Sequence, residues 1–388
     1  MMPTSGATLV VSYNGLLEPL GRSQVLAYVV GLADRGHAMR ILSFEKHGPR
    51  SPLWGPTLHA LQERDVLWKP LPYHRWPKVL STAFDVLAGA ALALGEVRRG
   101  VGLLHARSHV PALIADLVRT WTGVPYVFDL RGLLAEEYAD SGLWRRGGLL
   151  FRVTTAFEKR FIRNAAGVVV LTRRLQHELG EVGMTVTVIP CAVDLAAFRP
   201  MAPDQPRPFD LVYSGSWSGR YLTAEVLRFF RAFRAVKPDA RLLLLLRSAN
   251  GSHAFPEGVE CRSVRAEEMP AQLRQARAGL CFLPPGRAQG AASPVKVSEY
   301  LACGLPVVST PGVGDLDVLL PETRTGVVLR DLGPGAVEQA AHDLLGLLQD
   351  RDAAERCRAL AERVYDLTGA VESYARVYEA ARSASGAR

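Results

Sequence analysis

The sequence has few cysteines and none of the spacings that build a zinc site or a disulfide framework. Its five cysteines are scattered, odd in number and form no C-x-x-C pair. Such a pattern argues against cross-linking and against structural zinc. We therefore expect buried free thiols in a reducing compartment and no bound metal.

Long apolar runs are also missing. The most apolar stretch, Phe84 to Val97, spans 14 residues and includes Asp85 and Glu96, whereas a helix needs about 20 residues to cross a bilayer. The N-terminal segment has no basic stretch before its apolar run, so a cleavable secretory signal is not expected. These absences predict a cytoplasmic protein without a membrane-spanning helix.

The chain contains no P-loop motif, G-x-x-x-x-G-K-[ST], and no helix-turn-helix, zinc-finger or RNP signature. Nucleic acid is therefore not an expected partner. The net charge of +8 is nevertheless basic, and two segments concentrate it, Lys69 to Lys78 and Arg145 to Arg174. Basic segments of this kind suit phosphates, including those of lipids and nucleotides.

With 388 residues, 48% of them hydrophobic, the chain is long enough for two globular domains that share a cleft. In the first half, short β-branched runs alternate with helical segments, which favours a parallel sheet covered by helices. One helix is predicted over Ser23 to Arg35, with Ser23 as its N-cap and Gly36 at its end. The predicted strands of this half are Thr8 to Ser12, Met39 to Phe44, Leu103 to Ala106, Pro125 to Asp129, Gly167 to Thr172 and Thr185 to Pro190.

A proline-rich segment at residues 199–208, with four prolines in ten residues, is the predicted linker. A second unit of the same plan follows it. Its predicted strands are Asp210 to Ser214, Ala240 to Leu246, Gly279 to Leu283 and Leu305 to Ser309. Two Rossmann-like domains of this kind bind ligands at the carboxyl ends of their strands.

The most informative segment is Ser293 to Asp315, S-P-V-K-V-S-E-Y-L-A-C-G-L-P-V-V-S-T-P-G-V-G-D. It predicts a helix with Ser293 as N-cap and Gly304 just past its end. A helix N-terminus attracts phosphate, and Lys296 adds a full charge there. Glu299 lies on the same face, where its carboxylate can accept both hydroxyls of a ribose.

The segment resembles the C-terminal motif of the retaining GT-B glycosyltransferases related to family 4. The family's run, E-(A/Y)-hydrophobic-A-x-G-x-P-V-V, is matched by Glu299, Tyr300, Leu301, Ala302, Gly304, Pro306, Val307 and Val308. The interdomain pattern I-P-x-x-V-D-x-x-x-F-x-P is matched by Ile189, Pro190, Val193, Asp194, Phe198 and Pro200. Tyr374 and Tyr378 occupy a final helix like the family's.

The resemblance implies two facing Rossmann-like domains, an interdomain cleft and a C-terminal helix that crosses back to the first domain. The implied boundaries are 1–200 for the acceptor-side domain, 207–365 for the nucleotide-sugar-binding domain and 366–388 for the returning helix. The implied activity is metal-independent, retaining transfer of a sugar from a nucleotide-diphosphate sugar to a glycan, lipid-linked or small-molecule hydroxyl.

This chain departs from the family motif in two places. Ala291 stands where relatives have a first Glu that touches the donor sugar, so sugar recognition is expected from the backbone of residues 290–293 or from Ser293. In residues 212–221, the usual Arg and Lys clamp is replaced by a segment with Gly215, Ser216 and Arg220, and these three join the expected donor site. Arg247 and Arg287 are further candidates for the clamp.

Acceptor-side residues are expected at strand ends of the first domain. The loop from Tyr13 to Gln24 contains Gly15 and does not fit the dinucleotide fingerprint. The remaining expected residues are Arg107, His109, Asp129 and Arg131. Relatives have His where Arg131 stands, and a guanidinium suits developing phosphate charge or an anionic acceptor.

The resemblance assigns catalysis to Lys296, Arg220 and Arg131, which would stabilise the departing phosphate in a front-face displacement. The segment Asp315 to Asp317 mimics a metal-binding D-x-D, but the family needs no metal and no cofactor. The expected place of action is the cytoplasm, with peripheral contact at the inner membrane face. Two alternatives remain open at this point, a GT-B nucleotide-sugar epimerase and a catalytically silent nucleotide-sugar-binding homologue.

Overall fold

The computed structural model describes residues 6–180, 186–202, 205–217, 222–246 and 255–386. The chain divides into an N-terminal unit, Met1–Ile189 with Leu367–Arg388, and a C-terminal unit, Pro190–Asp366. The last helix thus belongs with the N-terminal unit. Residues 190–200, which the sequence prediction assigned to the first domain, lie in the C-terminal unit.

The N-terminal unit contains a parallel sheet of seven strands in the order β3-β2-β1-β4-β5-β6-β7. Six of these strands match predicted ones. The unpredicted strand, β3, lies at the sheet edge and contains two prolines, which a strand tolerates only at an edge. The strands are β1 Ala7–Ser12, β2 Met39–Glu45, β3 Leu67–Pro72, β4 Val101–Arg107, β5 Tyr126–Asp129, β6 Gly167–Val170 and β7 Val186–Val188.

Within the described ranges, eight helices of the N-terminal unit precede the second sheet. They are α1 Pro19–Gly21, α2 Ala27–Asp34, α3 Trp54–Gln62, α4 Lys78–Arg98, α5 His109–Thr122, α6 Leu134–Asp140, α7 Leu149–Asn164 and α8 Arg173–Gly180. A π-helical turn, Arg22–Leu26, joins α1 to α2. The N-cap prediction for Ser23 is wrong: Pro19 opens the helical segment, and Ser23 Oγ donates to the Pro19 carbonyl at 3.1 Å.

The C-terminal unit contains a parallel sheet of six strands in the order β10-β9-β8-β11-β12-β13. The two unpredicted strands, β10 and β13, form its edges, where short or polar strands carry little hydrophobic signal. The strands are β8 Phe209–Gly215, β9 Leu242–Leu246, β10 Val259–Ser263, β11 Ala276–Cys281, β12 Val307–Ser309 and β13 Gly326–Val328. The helices are α9 Thr223–Val236, α10 Met269–Leu273, α11 Arg287–Gly290, α12 Val295–Ala302, α13 Leu316–Thr323, α14 Pro334–Gln349 and α15 Ala353–Val364.

Strand β9, five consecutive leucines, shows how the C-terminal sheet is buried on both faces. Alternate leucines point into separate apolar clusters, Leu243 and Leu245 on one side and their neighbours on the other. This arrangement is typical of a parallel sheet covered by helices. The fold class predicted from the sequence is therefore confirmed in each unit.

The last helix, α16 Leu367–Gly386, packs on α2 and on strands β4 to β6. The Tyr374 ring makes a T-shaped, edge-to-face contact with the Tyr28 ring, with centroids 5.4 Å apart. The Tyr378 hydroxyl lies 2.6 Å from Nδ1 of His105. Both tyrosines are buried. The expected return of the C-terminal helix to the first domain is confirmed.

Helix α4 is longer than the apolar stretch seen in the sequence. Its window Val79–Arg98 has 20 residues and a mean hydropathy of 1.5, enough by length and composition alone to span a membrane, although 39% of the window is buried in the protein. The sequence estimate of 14 residues was too short because it left out residues 79–83, which extend the apolar stretch toward the start of the helix. Such helices are also common as core elements of proteins that do not span membranes.

The ring of Tyr300 lies directly against Gly279 of β11, so that an added Cβ there would stand 2.2 Å from the ring. Gly279→Ala should lower the free energy of unfolding by about 1–3 kcal/mol, because the buried ring must move. Gly346→Ala is the control: its Cβ would meet nothing within 4 Å in α14, and it should be neutral or slightly stabilising. Urea denaturation measures both, and equal midpoints for the two variants would contradict this packing.

Candidate functional site

The start of α12 differs by one residue from the sequence prediction. Pro294 is the extended residue before the helix, and Val295 is its first helical residue. The prediction of Ser293 as N-cap is wrong, because Ser293 Oγ accepts a hydrogen bond from the backbone N–H of Cys191 at 3.2 Å. Lys296 is consequently the second residue of the helix.

The end of α12 is as predicted. Gly304 has a positive φ of 72°, and its N–H donates to the Leu301 carbonyl at 3.0 Å. The next N–H, of Leu305, donates to the Tyr300 carbonyl at 2.9 Å. These two bonds form a Schellman motif, which fixes the helix end and turns the chain into β12.

Lys296 is the central charged residue of this region. It is only 7% exposed, and its Nζ lies 4.1 Å from the centroid of the Tyr213 ring. Burial lowers the pKa of Lys296 to about 8, although the charges of Cys281 and Glu299 act in the opposite direction. The structure thus holds a titratable ammonium at the carboxyl end of β8 beside a helix start.

The turn after β8 fits closely around the Lys296 ammonium. Gly215 has φ 136°, and an added Cβ would lie 3.0 Å from Lys296 Nζ. Ser216 is exposed beside it, and its carbonyl accepts a hydrogen bond of 2.7 Å from the Tyr213 hydroxyl. Two predicted donor-site residues, Gly215 and Ser216, therefore lie at the carboxyl end of β8, next to the Lys296 ammonium.

Tyr300 positions this turn, a role that the sequence did not single out. Its hydroxyl accepts a hydrogen bond from the N–H of Ser214 at 2.8 Å and lies 2.9 Å from Ser214 Oγ. Burial raises the pKa of Tyr300 well above its usual value. The sequence signal for this role was the position of Tyr300 directly after Glu299 in the family motif. In the structure, its hydrogen bonds to Ser214 link α12 to β8.

Glu299 is half-buried on α12, three residues after Lys296, and its charge raises the pKa of Lys296. The pair therefore shares a face, as the spacing predicted. Contact of Glu299 with a ribose stays a prediction. Ala291, where relatives carry a Glu, is buried with 2% exposure, and nearby Gln289 presents a 3% exposed amide side chain.

Of the three arginines expected to replace the family's clamp, Arg287 lies among the described residues. Arg220 and Arg247 lie outside the described residues. Arg287 is exposed at the first position of α11. The structure therefore brings together Lys296, Glu299, Gly215 and Ser216, while Ser293 lies behind the helix start in contact with residue 191.

In the N-terminal unit, Asp129 is buried at the end of β5 beside two arginines and a histidine. Its carboxylate lies 3.1 Å from Arg107 Nη1, 3.4 Å from Arg131 Nη1 and 3.4 Å from His105 Nε2. Burial raises the pKa of Asp129, but Arg131, His105 and Arg107 outweigh it and hold that pKa well below its usual range. Asp129 is thus a permanent carboxylate that orients two guanidiniums.

Two other predicted acceptor-side residues are engaged within the N-terminal unit. His109 is buried at the start of α5, with Nε2 2.8 Å from a Glu158 carboxylate oxygen on α7. Gly15 is buried against Glu45, whose carboxylate would lie 2.5 Å from an added Cβ. Glu45 also accepts a hydrogen bond from the Leu16 N–H at 2.8 Å. The absence of a side chain at Gly15 therefore lets the backbone of this loop lie against the Glu45 carboxylate.

The segment Asp315 to Asp317 has a local structural role. Both carboxylate oxygens of Asp317 accept the N–H of Gly312, at 3.0 and 2.9 Å, and Asp315 precedes α13. Within the described ranges, no group of three or more His, Cys, Asp or Glu side chains is arranged to hold a metal ion. Metal independence itself stays a prediction.

Comparison with known families gives two matches, one in each half of the chain. The model described as a glycosyl transferase 4-like domain matches residues 21–192, and the model described as glycosyl transferase-like matches residues 222–382. Among curated proteins, no sequence is significantly similar to the chain.

Solved structures share the fold at low sequence identity. Sucrose-phosphate synthase from Thermosynechococcus elongatus superposes with a TM-score of 0.71 at 15% identity, over 96% of this chain and 98% of that one. A glycosyltransferase from Rickettsia africae gives 0.69 at 14% identity, over 96% and 98%. Anabaena HepE, in complex with UDP and glucose, gives 0.67 at 14% identity, over 96% and 99%.

The pKa of Lys296 generates a prediction for anion binding. Below pH 8 the ammonium is charged, and above it the amine is increasingly neutral. The affinity for inorganic pyrophosphate should therefore fall as pH rises through about 8, approaching tenfold per pH unit if the bound anion requires the charge. Calorimetric titrations across this range measure it, with Lys296→Met as control. An affinity that is flat with pH, or a pH dependence kept by Lys296→Met, would contradict the assignment.

Proposed function

The chain belongs to the family 4-like GT-B glycosyltransferases, and from this membership we propose that it transfers a sugar from a nucleotide-diphosphate sugar to an acceptor hydroxyl. In this proposal the anomeric configuration is retained and no metal ion or cofactor takes part. The observation that carries it is the buried Lys296 ammonium at the start of α12, beside Gly215 at the end of β8.

The donor diphosphate is proposed to bind at this point. Backbone N–H groups at the start of α12 and the Lys296 ammonium present positive charge together. Glycine at position 215 leaves the space in front of Nζ open, since a Cβ would reach to 3.0 Å. Glu299, on the same helix face, is proposed to accept the ribose hydroxyls.

The base and sugar of the proposed donor are suggested by one similar solved structure. Anabaena HepE has been solved with UDP and with UDP-glucose, so a UDP-sugar is the first candidate here. A thermal-shift screen of UDP-, GDP- and ADP-sugars selects among them, because a ligand at 100 times its dissociation constant stabilises by about 2.7 kcal/mol.

The proposed reaction is a front-face displacement. The bond between the anomeric carbon and the donor phosphate breaks, the acceptor oxygen bonds to the same face of that carbon, and the acceptor proton passes to the departing phosphate. Charge grows on this phosphate in the transition state, where Lys296 stabilises it, with Arg220 and Arg131 as the further proposed cations.

On the acceptor side we propose a carbohydrate or lipid-linked hydroxyl near Arg107, Arg131 and the loop that contains Gly15. The proposed place of action is the cytoplasm, with peripheral contact at an anionic membrane through the segments Lys69–Lys78 and Arg145–Arg174. Each basic residue near such a surface contributes roughly 1 kcal/mol. Nucleic acid is not a proposed partner.

Substitutions on α12 separate donor binding from turnover. Glu299→Ala should weaken binding of the nucleoside diphosphate about 10- to 150-fold, since a hydrogen bond to a charged group contributes about 1.5–3 kcal/mol. Lys296→Ala should weaken diphosphate binding and in addition lower kcat, because phosphate charge grows toward the transition state. Calorimetry and steady-state kinetics measure the two effects.

Glu338→Ala is the matched control, because Glu338 is an exposed helical glutamate of the same unit. It should bind nucleotide as the parent does. If Glu299→Ala also binds with parental affinity at an unchanged melting temperature, the ribose assignment is wrong and Glu299 is a surface partner of Lys296.

Turnover should survive exhaustive treatment with EDTA, because the proposed charge stabilisation comes from protein cations and a helix start. The measurement is the initial rate before and after chelation, with Mg²⁺ or Mn²⁺ added back. Loss of activity that either ion restores would contradict metal independence and return Asp315 and Asp317 to consideration as ligands.

A further inference from the structure

Exposed large apolar side chains are concentrated on two helices of the N-terminal unit. Of the fifteen such side chains among the described residues, ten lie on or just before α4 and α7. Isolated apolar side chains are normal on protein surfaces, whereas concentrated ones mark an interaction site. The ten are Trp76, Val79, Leu80, Phe84 and Leu87 at α4, and Leu143, Leu149, Leu150, Val153 and Phe157 at α7.

Helix α4 is fixed with its apolar face outward. On its inner side, Asp85 accepts the Tyr13 hydroxyl at 2.8 Å, and Glu96 pairs with Arg40 at 2.6 Å. On its outer side, Leu80 and Phe84 are 69% and 58% exposed. Because buried carboxylates hold one side of α4 within the N-terminal unit, the outward side chains form a stable surface, here named the α4 face.

Helix α7 presents a second surface of the same type, the α7 face. Leu149, Val153 and Phe157 follow one another at four-residue spacing and are 77%, 43% and 40% exposed. The opposite side is held by buried Phe161 and by the contact of Glu158 with His109. The α7 face therefore also points to solvent.

The two faces lie toward one edge of the N-terminal unit. Helix α4 leads from β3 to β4, and α7 leads from β5 to β6, so right-handed crossovers place both on the same side of the sheet, with α5 packed between them. Crossover helices run opposite to their parallel strands. Most of the exposed residues precede the two helices or lie in their first halves, and they thus lie toward the carboxyl edge, where β1 ends and the loop with Gly15 begins.

The exposed charged side chains next to both faces are cationic. Residues 66–84 contain no acidic residue, and Arg75 next to Trp76 is exposed. In residues 141–164 the single acidic residue is Glu158, which is paired with His109, whereas Arg152 and Lys159 are exposed. A second copy of this chain would bring like charges together, while an anionic lipid surface complements both the cations and the apolar side chains.

We propose that the α4 and α7 faces insert their apolar side chains among the headgroups of an anionic membrane and dock the N-terminal unit there. This inference rests on the peripheral contact in the proposed function and deepens it from charge attraction to shallow insertion. Docking brings the carboxyl edge of the first sheet toward the membrane surface, and hence favours an acceptor carried by a lipid.

Vesicle flotation of the full chain tests this inference. The vesicles are phosphatidylcholine alone and phosphatidylcholine mixed with phosphatidylglycerol, each at low and at high salt. The parent should float with the anionic vesicles and keep part of that binding at high salt, because salt screens charges but leaves apolar burial intact. Binding to anionic vesicles that high salt abolishes entirely would overturn insertion and leave charge attraction.

Variants locate the contact. The triple variant Leu80→Ser, Phe84→Ser and Leu87→Ser should lower the partition coefficient onto anionic vesicles on the order of a hundredfold. The triple variant Leu149→Ser, Leu150→Ser and Val153→Ser should act similarly. Trp121→Ser is the control, since Trp121 is an exposed aromatic near the opposite end of α5. If the triple variants bind like the parent, or Trp121→Ser loses as much binding, the proposed faces are wrong.

Two further readouts keep the outcomes distinct. Trp76 is 80% exposed, so its fluorescence should shift to the blue on anionic vesicles, and Trp76→Phe should remove that shift. Nucleoside diphosphate affinity should be unchanged in all these variants, so failure of docking is separable from failure of the transferase proposal. A parent that is dimeric in light scattering and monomeric in the triple variants would overturn the membrane as occupant and assign the faces to self-association.

Discussion

The C-terminal unit is organised around one unfavourable charge, the buried ammonium of Lys296. Taking a cation out of water disfavours its charged form, and the lowered pKa of Lys296 expresses this cost. The Tyr213 ring offers a cation–π contact at 4.1 Å, and Glu299 adds an opposite charge. These partners reduce the cost, and an anion at the same point would reduce it further, which is the physical basis for proposing that a diphosphate binds there.

The surrounding structure keeps that ammonium in place. Tyr300 ties α12 to Ser214 at the end of β8, and Gly279 leaves room for its ring. The Schellman motif at Gly304 fixes the other end of the helix. The N-terminal unit treats its buried charge differently, because Arg107 and Arg131 lie beside Asp129 and hold it as a carboxylate. One unit thus buries a lysine whose charged form is disfavoured, whereas the other holds a carboxylate whose charged form is stabilised.

The sequence predicted those features that local rules determine. The central strands of both sheets, the glycine that ends α12 and the shared face of Lys296 and Glu299 follow from burial patterns and helical spacing. Edge strands escaped prediction because they are short or polar, and β3 in addition contains two prolines. The N-cap prediction for Ser293 failed because its hydroxyl bonds to residue 191, about a hundred positions away. Pairings such as His109 with Glu158 depend on the same kind of long-range packing, which one sequence does not encode locally.

The central claim, that the donor diphosphate binds at the start of α12 against Lys296, is tested most directly by a crystal structure with the nucleoside diphosphate that binds most tightly. The account predicts a phosphate oxygen within hydrogen-bond distance of Lys296 Nζ and ribose hydroxyls on the Glu299 carboxylate. A nucleotide bound elsewhere, with Lys296 still packed on Tyr213 and no phosphate beside it, would contradict the account.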